Sequence, residues 1–222
     1  MDAAPSLGTQ PSSSGPGATP RRWYAHPWLW LVLLALAAAY PLARVLHRRL
    51  TPPPPVLASL PAFQFLDQQG RRQGTAELRG TVWIANFIFT RCPTICPALT
   101  KRMAELQQAT RSHGEKLKLV SISVDPEFDQ PKVLAEYAAR FAADGRRWFF
   151  LTGPLEQIKG TVVQGFKVGL ERKKPGSDPA DLFHGSHFVL VDRASRIRGY
   201  YQATDNAPYD ALLRDAERLL DE

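Results

Sequence analysis

An α/β fold with a largely parallel core sheet, preceded by one transmembrane helix, is the fold class the sequence predicts. Three observations carry it. Apolar runs of strand length, Val82–Phe89, Leu117–Val124, Trp148–Leu151 and His187–Asp192, alternate with segments whose apolar residues recur at helical spacing. The two cysteines of the 222-residue chain, Cys92 and Cys96, follow directly on the first of those runs. An uncharged apolar stretch, Pro27 to Ala43, stands ahead of everything that reads as globular.

Taken in order, residues 1–25 are rich in Pro, Ser, Gly and Ala. They bury too little apolar surface to offset the entropy of ordering, and a disordered tail is expected. Residues 26–46 read as a transmembrane anchor, since about 20 apolar residues span a bilayer core. Trp23, Tyr24, Trp28 and Trp30 gather at one end and Tyr40 near the other, as interface anchors do. The stretch exceeds the roughly 7–15 apolar residues of a cleaved signal peptide. Arg21 and Arg22 before it nearly balance Arg44, Arg48 and Arg49 after it, so charge leaves the orientation open. Residues 47–59, with Pro52 to Pro55 in succession, read as a stiff Pro-rich linker. Residues 60–222 read as one globular domain.

That domain opens with a β-hairpin. Phe63 and Phe65 lie on its first strand, Gln69-Gly70 form the turn, and a second short strand leads to Leu78. Helices are expected from Pro97 to about His113, ended by Gly114, from Pro131 through Phe141, from Pro154 to about Phe166, and from Asp210 to Leu220. Pro131 suits a first helical turn. A charged loop covers Glu171 to Asp181, and His187–Asp192 pairs with Arg196–Tyr201. A cysteine turn directly after a buried strand and at a helix start, in a sheet of this order, is the thioredoxin-like arrangement.

The formal net charge of +7 raises nucleic acid as a partner. The Arg and Lys residues are dispersed, however, and several flank the apolar stretch, so no nucleic-acid partner is expected. Two cysteines in a domain this large are not a disulfide framework. At four-residue spacing beside a helix N-terminus, which favours thiolates, they suggest a metal site, a redox pair, or both. Two thiolates are soft ligands that suit Cu(I) or Zn. His is the common third ligand, and His184 and His187 lie before and at the start of the strand facing the cysteine turn. His26, His47 and His113 read as solvated. Asp125 ends a strand at the same sheet edge, and Asp129 reads as a helix cap or a support of the site.

From about Pro61 onward the chain resembles the Sco/SenC family of membrane-anchored copper proteins. The resemblance rests on FQFLDQQG, LRGTVWIANFIFTRCPTICP, SISVDPEFDQP, an LTG segment and a His shortly before FVLVD. It implies a copper ion held by Cys92, Cys96 and a His, which falls on His184 by count from Val191-Asp192, with His187 in reserve because Gly185 replaces the Ser usual after that His. It also implies a copper chaperone that serves the binuclear copper centre of cytochrome c oxidase. The oxidase subunit carrying that centre would be the partner and the bacterial cytoplasmic membrane the location, with the domain in the periplasm. The alternative is a thiol-disulfide oxidoreductase acting through Cys92 and Cys96 on the oxidase's copper-site cysteines. Against it stand the C-x-x-x-C spacing and the absence of Pro between Ala180 and Asp192. A peroxidase reading of Thr90-Arg91-Cys92 lacks a usual resolving position and an identifiable strand-borne Arg.

Overall fold

A computed structural model describes residues 27–50, 52–93, 95–168 and 186–222, with the side chains of 41, 42 and 44–50 excepted. The tail expected over 1–25, the loop expected over 171–181 and His184 lie outside the described residues. The chain divides into two compact units, residues 1–51 and 52–222.

The first unit holds α1, Pro27–Leu50. Trp28, Trp30, Leu31, Leu33, Leu34, Leu36 and Tyr40 are exposed along it. Among the described residues no helix is long and apolar enough to cross a membrane. At about 1.5 Å per residue the uncharged run Pro27–Ala43 reaches about 26 Å, short of a hydrocarbon core of roughly 30 Å.

The second unit runs β1 (Ala58–Ser59), β2 (Gln64–Leu66), β3 (Arg72–Gly74), α2 (Thr75–Leu78), β4 (Val82–Ile88) and α3 (Ile95–Ala109). Then come β5 (Leu117–Ser123), α4 (Pro131–Arg140), β6 (Trp148–Leu151), α5 (Leu155–Lys159), β7 (His187–Val191), β8 (Arg196–Gln202) and α6 (Asn206–Asp221). Six strands form one sheet in the order β1-β8-β7-β4-β5-β6, and β2 and β3 pair separately. β4, β5 and β6 are parallel, whereas β7, β8 and β1 are antiparallel to their neighbours.

β4 is flanked by β5 and β7, and all seven of its residues are buried. A strand covered on both faces reads as an unbroken apolar run, as this one does. Its exception is Asn86, whose Oδ1 accepts from Ser121 Oγ at 2.7 Å; that hydroxyl in turn accepts from Trp148 Nε1 at 3.0 Å. A polar relay thus crosses from β4 to β6 through β5 and fixes their register from within the core.

The hairpin forms, but its second strand stops at Gly74 and does not reach Leu78. The chain turns because Thr75 Oγ1 folds back on the Phe63 backbone, accepting from its N–H at 3.3 Å. Gly74 packs so closely there that a Cβ would lie 2.1 Å from the Phe63 carbonyl oxygen. The end of the Pro-rich segment is also held: the N–H of Leu57 donates to Ile197 O at 2.8 Å, and Arg198 Nε donates to Pro54 O at 2.7 Å.

α3 begins at Ile95, two residues before the expected Pro97, which puts Cys96 inside the helix. It ends at Ala109, and the chain continues as a 3-10 turn, Arg111–Lys116, in which Gly114 takes φ +55. α4 starts on Pro131 as expected. The helix expected to Phe166 breaks at Lys159 into a π-helical turn, Gly160–Gly165. The wider turn brings the buried Phe166 ring against Trp83 and Phe87, with centroids 5.9 and 5.1 Å away.

Candidate metal centre

β4 delivers the chain to Phe89, which is buried, and a tight turn follows. The N–H of Cys92 donates to Phe89 O at 3.2 Å. The N–H of Cys96, in the first turn of α3, donates to Cys92 Sγ at 3.4 Å. The two sulfurs are therefore served by one turn and one helix start. Cys92 keeps 6% of its surface exposed and Cys96 none. Burial pushes the Cys96 thiol above its ordinary value, with a hydrogen bond to the Phe89 backbone opposing and the neighbouring Cys92 reinforcing the rise. The expectation that the helix start favours both thiolates is thus reversed at Cys96, where loss of solvent outweighs the helix N-terminus.

Two acidic residues brace this turn in different ways. Asp125 pairs with Arg91, whose Nη2 and Nε approach Oδ2 at 2.7 and 3.1 Å. The same guanidinium lies 4.5 Å over the Phe128 ring. Asp129 is fully buried and accepts from the N–H and hydroxyl of Thr90 at 3.0 and 2.5 Å and from Ser123 Oγ at 2.5 Å. Burial raises the Asp129 carboxyl above its usual range, and these hydrogen bonds work against that rise. It does not cap α4: the N-cap is Gln130, and no side chain caps that end. Behind the cysteines, Tyr137 and Thr100 share a hydroxyl–hydroxyl hydrogen bond of 2.9 Å, and Thr100 donates to Cys96 O at 2.8 Å. Burial pushes the Tyr137 phenol up to about 12.

β7 lies antiparallel to β4, in register from Trp83↔Val191 to Ala85↔Val189. It therefore begins at the end where β4 leads into the cysteines. His187 opens β7, is exposed, and pairs across the sheet with Gln202. Among the described residues no three His, Cys, Asp or Glu side chains form a group that could hold a metal. Cys92 and Cys96 come together, His187 does not join them, and His184 lies outside the described residues. Two sulfurs of a soft donor type in one turn, both buried and Cys92 the slightly shallower, fit a soft ion such as Cu(I).

The family model for SCO1/SenC matches residues 55–221. The chain belongs to the SCO1/SenC family. It is 36% identical over 156 residues to the SCO1 protein homolog of Bacillus subtilis (strain 168), covering 70% of this chain and 79% of that one. Its fold resembles that of BsSco, a member of the Sco family of cytochrome c oxidase assembly proteins in which a disulfide switch was identified. The TM-score is 0.66 at 33% identity, over 77% of this chain and 98% of BsSco. ScoI of Bradyrhizobium japonicum, solved with copper bound, matches at TM-score 0.61 and 25% identity, over 73% of this chain and 99% of that one. These matches establish the thioredoxin-like α/β fold of Sco structures for the second unit.

Within this SCO1/SenC chain, sequence reasoning did not mark Arg91 as the partner of Asp125 or Tyr137 as a neighbour of the cysteines. Arg91 stands directly before Cys92, and an Arg one residue from a candidate ligand was a readable signal. Tyr137 had none, because its hydroxyl meets Thr100 only once α3 and α4 pack on the same sheet.

Proposed function

We propose that this chain is a copper chaperone. It carries one copper ion on Cys92, Cys96 and His184, with His187 as the reserve ligand, and delivers it to the binuclear copper centre of cytochrome c oxidase during assembly of the respiratory complex. The observation that carries the reading is the pair of sulfurs gathered in one turn, with Cys96 N–H on Cys92 Sγ at 3.4 Å. Copper is cargo here. It passes between thiolates by ligand exchange, and the difference in depth supports that: Cys92 keeps a small exposed surface, and Cys96 is a fully buried second donor. The oxidase-assembly family of BsSco and the copper in ScoI lend support from relatives.

The chain is held by α1 in the bacterial cytoplasmic membrane, with residues 1–25 as a cytoplasmic tail, 47–59 as a spacer and 60–222 in the periplasm. The exposed apolar side chains along α1 support this, and local thinning of the bilayer meets the few Å by which its uncharged run falls short of the hydrocarbon core. Retention in the pellet after alkaline carbonate extraction, and an active periplasmic reporter at the C-terminus, are the expected results.

The same difference in depth favours a second reading as thiol-disulfide oxidoreductase. The Cys92 thiolate attacks a substrate disulfide, releasing one substrate thiolate, and Cys96 then displaces the second while forming the Cys92–Cys96 disulfide. One experiment separates the two. The reduced full chain competes for Cu(I) against a chromophoric chelator. One equivalent bound, lost in Cys92→Ala and weakened in His184→Ala, supports the chaperone. Copper retained by the Cys92→Ala, Cys96→Ala double variant overturns it. Rapid reduction of insulin disulfides by the wild type moves the assignment to the oxidoreductase.

A further inference from the structure

Asp129 contacts neither cysteine through any hydrogen bond described above, yet it controls where their turn begins. Its Oδ2 accepts from Thr90 N and Ser123 Oγ, and its Oδ1 from Thr90 Oγ1. Ser123 is the last residue of β5, and its hydroxyl also accepts from Asp125 N at 3.1 Å. Asp129 is itself held by its own N–H on Asp125 O at 2.9 Å. One buried carboxylate therefore ties the exit of β4, the exit of β5 and the approach to α4. A carboxylate removed from water is unfavourable unless hydrogen-bonded. Here its two side-chain partners outside its own loop are the residue two before Cys92 and the strand end beside it.

We propose that Asp129 is the positioning residue of the metal centre. Its carboxylate clamps Thr90 to Ser123 and so holds the turn that presents Cys92 and Cys96 to one soft metal ion. The clamp is a matter of hydrogen-bond geometry, not of charge. An Asn amide can reproduce it: its oxygen accepts from Thr90 N and Ser123 Oγ, and its NH2 donates to Thr90 Oγ1. Ala cannot. With the clamp gone, the segment from Phe89 to Cys96 loses both anchors at Thr90. Cys92 Sγ then leaves the Cys96 N–H, and the Cys96 thiol becomes accessible. The metal's identity as copper rests on the reading above, whereas the clamp itself does not.

The test compares Asp129→Ala with Asp129→Asn in the full chain, since both remove the same charge and only Ala removes the bonds. Two readouts are taken: Cu(I) affinity by chelator competition, and the number of iodoacetamide adducts formed in a brief exposure without metal. Loss of a group hydrogen-bonded directly to a ligand typically weakens metal binding by about 10–100-fold, and Asp129, which acts through Thr90, belongs at the lower end, about 10-fold. The expected result is a loss of that size for Ala with labelling of both cysteines. Asn recovers most of the affinity and keeps single labelling at Cys92. Equal loss in both variants assigns the effect to charge and overturns the clamp, as does wild-type behaviour of Ala. If wild type binds no Cu(I), the copper reading fails, and the labelling contrast between Ala and Asn still decides the clamp. If Ala does not fold, Ser123→Ala removes one bond to the same carboxylate. It is expected to give a smaller change in the same direction, and no change in either readout counts against the clamp.

Discussion

The backbone N–H of Cys96 donates to the sulfur of Cys92 at 3.4 Å, so the deeper cysteine supports the shallower one through its main chain. The two thiols are chemically unequal as a result. Cys92 retains a small exposed surface, whereas Cys96 has none and burial holds its thiol protonated. Alkylation needs thiolate and access together. A brief exposure of the reduced chain to iodoacetamide near neutral pH should therefore give one adduct by mass spectrometry, on Cys92. Equal labelling, or Cys96 first, would show that burial does not set the order.

The pair Arg91–Asp125 beside the cysteines is half in solvent on one side only: the Arg91 side chain is 44% exposed and that of Asp125 7%. Removing the cation leaves a nearly buried carboxylate short of its partner, which costs more than a surface ion pair. Arg91→Ala should lower unfolding stability by about 1–2 kcal/mol in urea titrations. Lys159→Ala breaks the exposed pair with Glu156 and should cost less than about 0.5 kcal/mol. Equal costs would mean that Asp125 is as well hydrated as Glu156.

Gly74 and Gly70 make a second contrast within the hairpin. At Gly74 a Cβ would stand 2.1 Å from a backbone oxygen, which cannot give way without moving β2. At Gly70 there is open space, but φ is +75. Gly74→Ala should cost about 3 kcal/mol, the upper end for overpacking. Gly70→Ala should cost about 1 kcal/mol, the strain of a left-handed residue. Thermal unfolding of the two variants checks the order.

The sheet was legible because its strands are buried runs and its helices carry periodic faces: Val82–Phe89 and Trp148–Leu151 appear almost as read. The ends of elements were less so. α3 starts before Pro97 because Ile95 and Cys96 already turn, and the break after Lys159 answers to the packing of Phe166, which no local pattern announces. Cys92 and Cys96 were visible from spacing alone. Asp129 was visible as a polar residue at a strand-to-helix connection. Its task was not, because Thr90 and Ser123 become neighbours only when β4 and β5 pair in parallel. The inequality of the two thiols was likewise invisible, since it depends on what covers Cys96.

Away from the cysteines, Arg198 and Asp192 form an ion pair at 2.8 Å with both side chains at or below 5% exposure. Arg198 also reaches Glu222 at 3.1 Å and Pro54 O at 2.7 Å, so it joins the segment before β1 to the end of α6. Burial pushes the Asp192 carboxyl up. Hydrogen bonds from Arg198, from Arg196 and from the backbone of Arg196 and Ala194 outweigh that and hold it below the usual range. A carboxyl lowered in the folded state stabilises the fold fully above its unfolded value of about 3.9, and the contribution fades as pH falls through the folded value. The stability gap between wild type and Asp192→Asn should therefore be constant from about pH 5 to 7 and shrink below about pH 4. Arg198→Met removes one of the two guanidinium partners of the carboxylate, leaving Arg196 at 2.8 Å, and should cost about 2 kcal/mol near neutral pH. Urea titrations of the three proteins across that range test both statements. A gap that widens in acid would mean that Asp192 is raised by burial and not lowered by its guanidinium partners.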